Sequence, residues 1–310
     1  MPLSPRLRWK LDQIRKKTSG AFGGEKEPPR PKLCPSCGTL VGANATRCHQ
    51  CGANLTFSLA AASKSLSRLM PSTSPVTYTI LALCCVLYIV SLLLTIRIAG
   101  FTEPGGGVLG MLDIGIIRSN TLYELGSSIP LPLILALHQP WRFVTAIFLH
   151  VSLLHIIFNM WVLMDVGPQI EELYGSARYI FIYVFTGVVG FVLSSAAHRW
   201  SVGASGALLG LIGVLLALSI GRKSAGMQML RGQLIVWLVI IFVWGFLSQG
   251  VDNYAHAGGL VSGFVLGKIM SDRAPVTPES RKRADLLGWS TALVVAASFV
   301  AMALWLHSIS

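Results

Sequence analysis

Apolar residues collect into seven long runs, at 76–96, 143–164, 179–197, 205–220, 234–249, 254–270 and 286–306. A hydrocarbon core roughly 30 Å thick is crossed by about 20 apolar residues in a helix, so the pattern predicts seven spans. The fourth, fifth and sixth runs are short and rich in Gly, which leaves their edges least defined. Small residues recur on two of them, as Gly206, Gly210 and Gly213 on the fourth and Gly259, Gly263 and Gly267 on the sixth. Such stripes let helices approach with little side-chain bulk between them. Between the first and second runs, residues 98–140 are rich in Gly and Pro yet carry apolar pieces at 114–117 and 131–137. That segment is too hydrophobic for an ordinary solvated loop and is expected to lie partly in the outer leaflet.

Composition agrees with the pattern. The chain is 53% hydrophobic and 12% charged, with a mean hydropathy of +0.64; soluble domains carry about 25% charged residues, so an ordinary soluble domain is excluded. The net charge of +12 is uneven, residues 1–75 holding 12 Lys and Arg against Asp12, Glu25 and Glu27. Beside a membrane domain, a basic tail reads as topogenic and as attracted to anionic lipid rather than to nucleic acid, which is not an expected partner. Lys268, Arg273, Arg281, Lys282 and Arg283 make the last inner connector the most basic, whereas the outer loops keep Arg97, Arg118, Arg142 and Arg199. The expected arrangement is a multi-pass protein of a bacterial plasma (inner) membrane, N-terminus cytoplasmic and C-terminus outside. No signal peptide is read, the first long apolar run beginning at Val76.

Before the spans, Cys34-Pro-Ser-Cys37 and Cys48-His-Gln-Cys51 form two C-x-x-C pairs ten residues apart. Two thiolates on one knuckle can share a metal, and two knuckles complete a tetrahedron, so Cys34, Cys37, Cys48 and Cys51 are expected to hold one structural zinc in a small ribbon, the alternative being a pair of disulfides, which a cytosolic location disfavours. Gly38 and Gly52 follow each pair, where a tight turn needs permissive backbone. His49 reads as a surface residue, and Cys84 and Cys85 as packing residues of the first span. Ribbons of this class ordinarily contact proteins or nucleic acid, and a cytosolic protein partner is the expectation here. The expected domains are a basic tail at 1–30, the ribbon at 31–55, a linker at 56–75, a six-span core at 76–271, and a linker with the seventh span at 272–310. In the tail, Leu3, Leu7, Leu11 and Ile14 recur at helical spacing among basic residues; a helix lying on the membrane and a solvated tail fit that pattern equally well.

The spans also carry chemistry. A histidine inside a span is costly and is a functional-site hypothesis by default, and a serine becomes a nucleophile only when a base can take its proton. Ser205, in Gly203-Ala204-Ser205-Gly206, opens the fourth run, and His256 lies near the start of the sixth. In an alternating topology these two runs descend the same way, so both starts share one depth. If the glycine stripes face each other, Ser205 and His256 meet near the outer end of both helices. The first amides of a helix are unsatisfied and available to an oxyanion, and Gly203 and Gly206 let the backbone bend and another chain approach. The second run brings His150, His155 and Asn159 to the same level, His155 and Asn159 sharing a face as hydrogen-bond donors without negative charge. Each residue alone fits ordinary helix packing; the combination reads as an intramembrane hydrolase.

The run from Trp141-Arg142 through His150, His155 and Asn159, then Gly203-Ala204-Ser205-Gly206, then Ala255-His256-Ala257-Gly258-Gly259, resembles the rhomboid intramembrane serine proteases over residues 75–271. The resemblance implies an all-α polytopic membrane protein: a six-helix rhomboid core plus one extra C-terminal transmembrane helix, preceded here by the zinc ribbon. It implies Ser205 as nucleophile and His256 as general base in a dyad without a carboxylate. His155, Asn159 and the Ser205 backbone N–H become oxyanion donors, with His150, Gly203 and Gly206 supporting. Glu171 and Gly175 match a structural turn after the second span, and Trp141-Arg142 the pair that helps fix the first loop. The implied substrates are transmembrane proteins, and catalysis needs no cofactor. One departure is Leu209, where many relatives carry an aromatic residue that stacks on the histidine; orientation of His256 must then rely on packing and other contacts. Asp252 could reach His256 but reads as an exposed rim residue, and nothing chemical is seen on the seventh span. The rival readings are a catalytically silent rhomboid-like binder of transmembrane segments and a membrane metalloenzyme or transporter using His150, His155, His198 and His256.

Overall fold

The computed structural model describes residues 31–33, 39–43, 45–50, 74–99, 115–220, 222, 224–247, 250–271, 275 and 277–309. It divides into two compact units, Met1–Pro71 and Ser72–Ser310. The basic tail at 1–30, most of the linker at 56–75, and Cys34, Cys37 and Cys51 lie outside the described residues. In the first unit a short antiparallel pair joins β1 (Lys32–Leu33) to β2 (Leu40–Val41), Lys32 opposite Val41. Val41 and Cys48 are buried together, with Ala45 packed against them.

The second unit is helical: α1 (Pro75–Ala99), α2 (Ser119–Glu124), α3 (Leu131–Ala136), α4 (Arg142–Thr145), a 3-10 turn (Ala146–Phe148), α5 (Leu153–Tyr174), α6 (Ser176–Ala196), α7 (Ser205–Ser219), α8 (Ala225–Leu247), α9 (Asn253–Ile269) and α10 (Pro278–Ile309). Among the described residues five helices, α1, α5, α6, α8 and α10, are long and apolar enough to cross a membrane, and α7 is a shorter apolar helix. The chain is a multi-pass, mostly helical membrane protein. At its centre stands α7, with nearly every side chain from Gly206 to Ser219 buried. The core around it draws on α1, α5 and α6, with Tyr174, Tyr179 and Tyr183 among its largest members.

The second apolar run differs from its helix. The pattern placed it at 143–164, whereas α5 covers Leu153–Tyr174. Residues 143–149 are apolar because they are core rather than span: α4 and the 3-10 turn fold them inward, and Ala146, Ile147, Phe148 and Leu149 are buried. Ser152, in extended conformation, then starts α5, its Oγ accepting from the His155 N–H at 3.3 Å. At the other end the helix runs past Met164 through polar residues that have partners. Glu171, 3% exposed, accepts from the Val76 and Thr77 N–H groups at 3.0 and 2.9 Å, the Thr77 hydroxyl at 2.8 Å and the Ser176 hydroxyl at 2.6 Å. A carboxylate at the first turn of α1 satisfies its orphan amides and complements its dipole. Gly175 then turns the chain into α6 at φ 79 and ψ 153, a conformation open in practice to glycine alone.

The described part of the first loop, residues 115–140, is built rather than slack, and residues 100–114 lie outside the described residues. The Ile117 N–H donates to the Val151 carbonyl at 2.8 Å, and Ser128 and Ser201 exchange backbone hydrogen bonds at 3.0 and 3.1 Å. Arg142 lies fully buried among Tyr123, Trp141 and Trp305, its guanidinium carbon 4.5, 4.9 and 4.8 Å from the three ring centres. It donates to the Gln139 side chain at 2.6 Å and to the Tyr123 and Ser127 carbonyls at 2.8 and 3.1 Å. Burial lowers its pKa to about 10, so it remains a cation at neutral pH. Trp305 comes from α10, so the C-terminal helix takes a direct part in holding the loop.

Candidate active site

Ser205 is the first residue of α7, and His256 lies in the first turn of α9. The glycine stripes bring them together. A Cβ on Gly259 would stand 1.9 Å from the Gly206 carbonyl oxygen, one on Gly263 1.9 Å from that of Gly210, and one on Gly213 2.3 Å from that of Leu260. The two helices therefore touch backbone to backbone, as small-residue stripes allow. At the end of this seam, Ser205 Oγ and His256 Nε2 are 2.9 Å apart, with His256 only 5% exposed. That is hydrogen-bond distance for a hydroxyl and its base.

Asp252 does not take the other side of the imidazole. Its Oδ1 caps α9 by accepting from the Tyr254 and Ala255 N–H groups at 3.0 and 3.2 Å, and its Oδ2 accepts from the Ser194 hydroxyl on α6. Asp252 thus fixes the start of the histidine-bearing helix, and His256 Nδ1 has no hydrogen-bond partner among the described residues. The imidazole instead meets Phe242 of α8 edge to face, ring centres 6.1 Å apart at 86°.

On the facing side, His155 lies against Gly203: a Cβ there would stand 2.8 Å from both ring Cε1 and Nε2. Gly203 has φ +132 as well, so conformation and space both demand glycine. Its N–H donates to the Ala146 carbonyl at 2.9 Å, tying the approach to Ser205 onto the 3-10 turn. One turn beyond His155, buried Asn159 donates from Nδ2 to the His155 carbonyl at 2.9 Å. His150, fully buried, meets the His155 ring at 5.1 Å and 67°. Outside the spans, burial and the neighbouring His155 hold the His150 pKa well below its ordinary value, so this imidazole is neutral. α7 begins without a side-chain cap, in contrast to α5 and α9, which leaves its first amides to a ligand. Among the described residues no three His, Cys, Asp or Glu side chains could hold a metal ion together.

The site therefore brings together Ser205, His256, His155, Asn159, His150, Gly203 and Gly206, while of the ribbon cysteines Cys48 alone is described. Sequence reasoning missed Phe242, which sits in a uniformly apolar run where nothing distinguishes one aromatic from another. It also missed Trp305, and it placed Asp252 on the rim although Asp before Asn253-Tyr254-Ala255 is an ordinary N-cap signal.

Ser205 and His256 are thus joined across two helix entrances, a hydroxyl and an imidazole placed so that a proton can pass between them. Residues 137–273 match the rhomboid domain. The rhomboid protease GluP of Bacillus subtilis (strain 168) is 36% identical over 125 residues, 40% of this chain and 25% of that protein. RHOMBOID-like protein 1 of Arabidopsis thaliana is 32% identical over 200 residues, 57% of this chain and 50% of that protein. Rhomboid-like protease 2 of Toxoplasma gondii is 33% identical over 172 residues, 54% of this chain and 59% of that protein. These matches support the rhomboid family, and with it intramembrane protease-type function at the level of the family. The chain spans between a quarter and about three fifths of the length of these relatives.

Proposed function

We propose that this protein is an intramembrane serine endopeptidase that cleaves transmembrane helices of other membrane proteins through an acyl-enzyme. The 2.9 Å contact between Ser205 Oγ and His256 Nε2, at the end of a seam along which the two helices touch backbone to backbone, carries the reading. His256 Nε2 takes the Ser205 proton as Oγ bonds to the scissile carbonyl carbon. The oxygen that gains charge is met by the Ser205 N–H, by Asn159 and by His155. His256 then returns the proton to the leaving amine, and a water, deprotonated by the same imidazole, releases the acyl group. A helix hides its carbonyls, so the substrate unwinds locally, and small or helix-breaking residues at the cut lower that cost. Entry is lateral, past α8.

The fold that goes with this reading is a six-helix rhomboid core of α1 and α5 to α9, with α10 as the extra span. On this reading the N-terminus lies on the cytoplasmic side of a bacterial plasma membrane and the dyad near the outer interface, an orientation supported by the basic N-terminal region and the basic connector to α10. To test the reaction, purified protein is incubated with a panel of single-span substrates and the products are mapped by mass. One discrete cut near the outer end of a span supports it; no cut in any substrate, with Ser205 inert to a fluorophosphonate, leaves the silent-binder alternative in its place. An Asn159→Ala variant should lose about 10²–10³ in kcat with its fold intact, the cost of one oxyanion donor; unchanged kcat removes Asn159 from that role.

For the first unit we propose one structural zinc held by Cys34, Cys37, Cys48 and Cys51. Four thiolates are the donor set zinc prefers, and Cys48 is buried beside Val41, as a metal-organised knuckle requires. Zinc would supply folding energy here and no catalysis. The ribbon then presents a surface to a cytosolic protein. Elemental analysis should find about one zinc per chain, lost when the four cysteines become serine and kept when His150, His155 and His256 are replaced; the reverse pattern overturns the assignment.

A further inference from the structure

We infer that Phe242 of α8 is the positioning residue for the His256 imidazole, so that the base is oriented by a helix other than the two that carry the dyad. The inference rests on the proposed reaction. A histidine that accepts a proton at Nε2 ordinarily has its ring fixed by a hydrogen bond at Nδ1. Here Nδ1 has no such partner among the described residues, and Asp252 is engaged with the α9 amides and Ser194. One turn after Ser205 stands Leu209, an aliphatic residue, so α7 supplies no ring either. Among the described residues the directional contacts of the imidazole are with the Ser205 hydroxyl and with Phe242, whose ring meets it at 86°. Edge-to-face contact fixes ring orientation as well as contact area.

The choice of α8 has a consequence. It is the least buried of the candidate spans, and α6 the most buried. Two contacts flank Phe242: Trp237 meets Trp161 of α5 with ring centres 5.6 Å apart at 80°, and Gly245 lies against Asn253, the first residue of α9. Outward displacement of α8 therefore withdraws Phe242 from the base. Accessibility of the site and orientation of the imidazole change together, and full activity requires α8 to close again behind a bound substrate.

The test uses the full chain in detergent or proteoliposomes. The rate of Ser205 labelling by a fluorophosphonate is measured beside kcat and KM for one single-span substrate. Phe242→Leu should slow labelling and lower kcat by roughly three- to tenfold, the scale of one aromatic contact, with KM within about twofold. Phe242→Tyr, which keeps the ring, should recover most of both rates. Phe242→Met serves in place of Phe242→Leu if the latter fails to fold, and it should behave the same way. Wild-type labelling in the ringless variant, or a raised KM at unchanged kcat, overturns the positioning role while leaving the protease reading in place. A wild-type protein that neither labels nor cleaves removes the protease reading and this inference with it.

Discussion

Replacing Ser205 with alanine should reduce cleavage of a single-span substrate by roughly 10⁴-fold or more, because the nucleophile and its base act as one unit and neither substitutes for the other. The fold should survive. Ser205 is only partly buried, and its hydroxyl is recorded in one hydrogen bond, to His256. Losing that bond costs about 1 kcal/mol, small beside the backbone contacts that hold α7 to α9. The checks are product formation by mass spectrometry, fluorophosphonate labelling and thermal unfolding in detergent. Cleavage at the wild-type rate in a folded Ser205→Ala protein ends the dyad assignment outright. His256→Ala should show a similar loss, with Ser205 still present but unreactive to the probe. Reactive serine without His256 would mean that another group takes its proton.

Much of this site was legible because its chemistry depends on residue types that are expensive in a span. His256, His155 and Asn159 stand out against apolar neighbours, and the four-residue spacing of Gly259, Gly263 and Gly267 indicates helix contact directly. What was not legible lies where apolarity has two causes. Residues 143–149 are as hydrophobic as a span but fold inward as a short helix and a 3-10 turn, so the second run began ten residues early. Its C-terminal half hid behind Asp165, Gln169 and Glu171: Gln169 bonds back to the Asp165 carbonyl within the helix, and the backbone partners of Glu171, Val76 and Thr77, lie 95 and 94 residues away. The same holds for Trp305. A tryptophan at the end of a terminal span reads as an interface anchor; only the fold shows that it completes the aromatic wall around Arg142. Phe242 illustrates the limit most sharply. Leu209 indicated that something other than α7 must steady the imidazole, yet the sequence of α8 gave no way to choose among its aromatic residues.

The glycine seam should prove as sensitive as the dyad. In a Gly263→Ala variant the new Cβ would stand 1.9 Å from the Gly210 carbonyl oxygen and 2.6 Å from its carbon, where real Cβ contacts essentially never fall below 3.0 Å. Both obstructing atoms are backbone in the middle of a buried helix, so no rotamer change relieves the clash and α7 and α9 must separate by about 1 Å. Overpacking ordinarily costs 1–3 kcal/mol, and a rigid obstruction belongs at or above about 3 kcal/mol. The same displacement acts on catalysis, since a misplacement of about 1 Å can cost 10²-fold when geometry carries the rate. Expected, therefore, are a clearly lowered melting temperature and roughly 100-fold slower cleavage in whatever fraction folds. Gly232→Ala on α8 provides the contrast: nothing lies within 4 Å of its added Cβ, so replacing glycine in a helix should be neutral or stabilise by up to about 1 kcal/mol. If Gly263→Ala melts and cleaves like the wild type, the two helices are not in backbone contact. The 2.9 Å bridge between Ser205 and His256, which depends on that contact, would then have to be held in some other way.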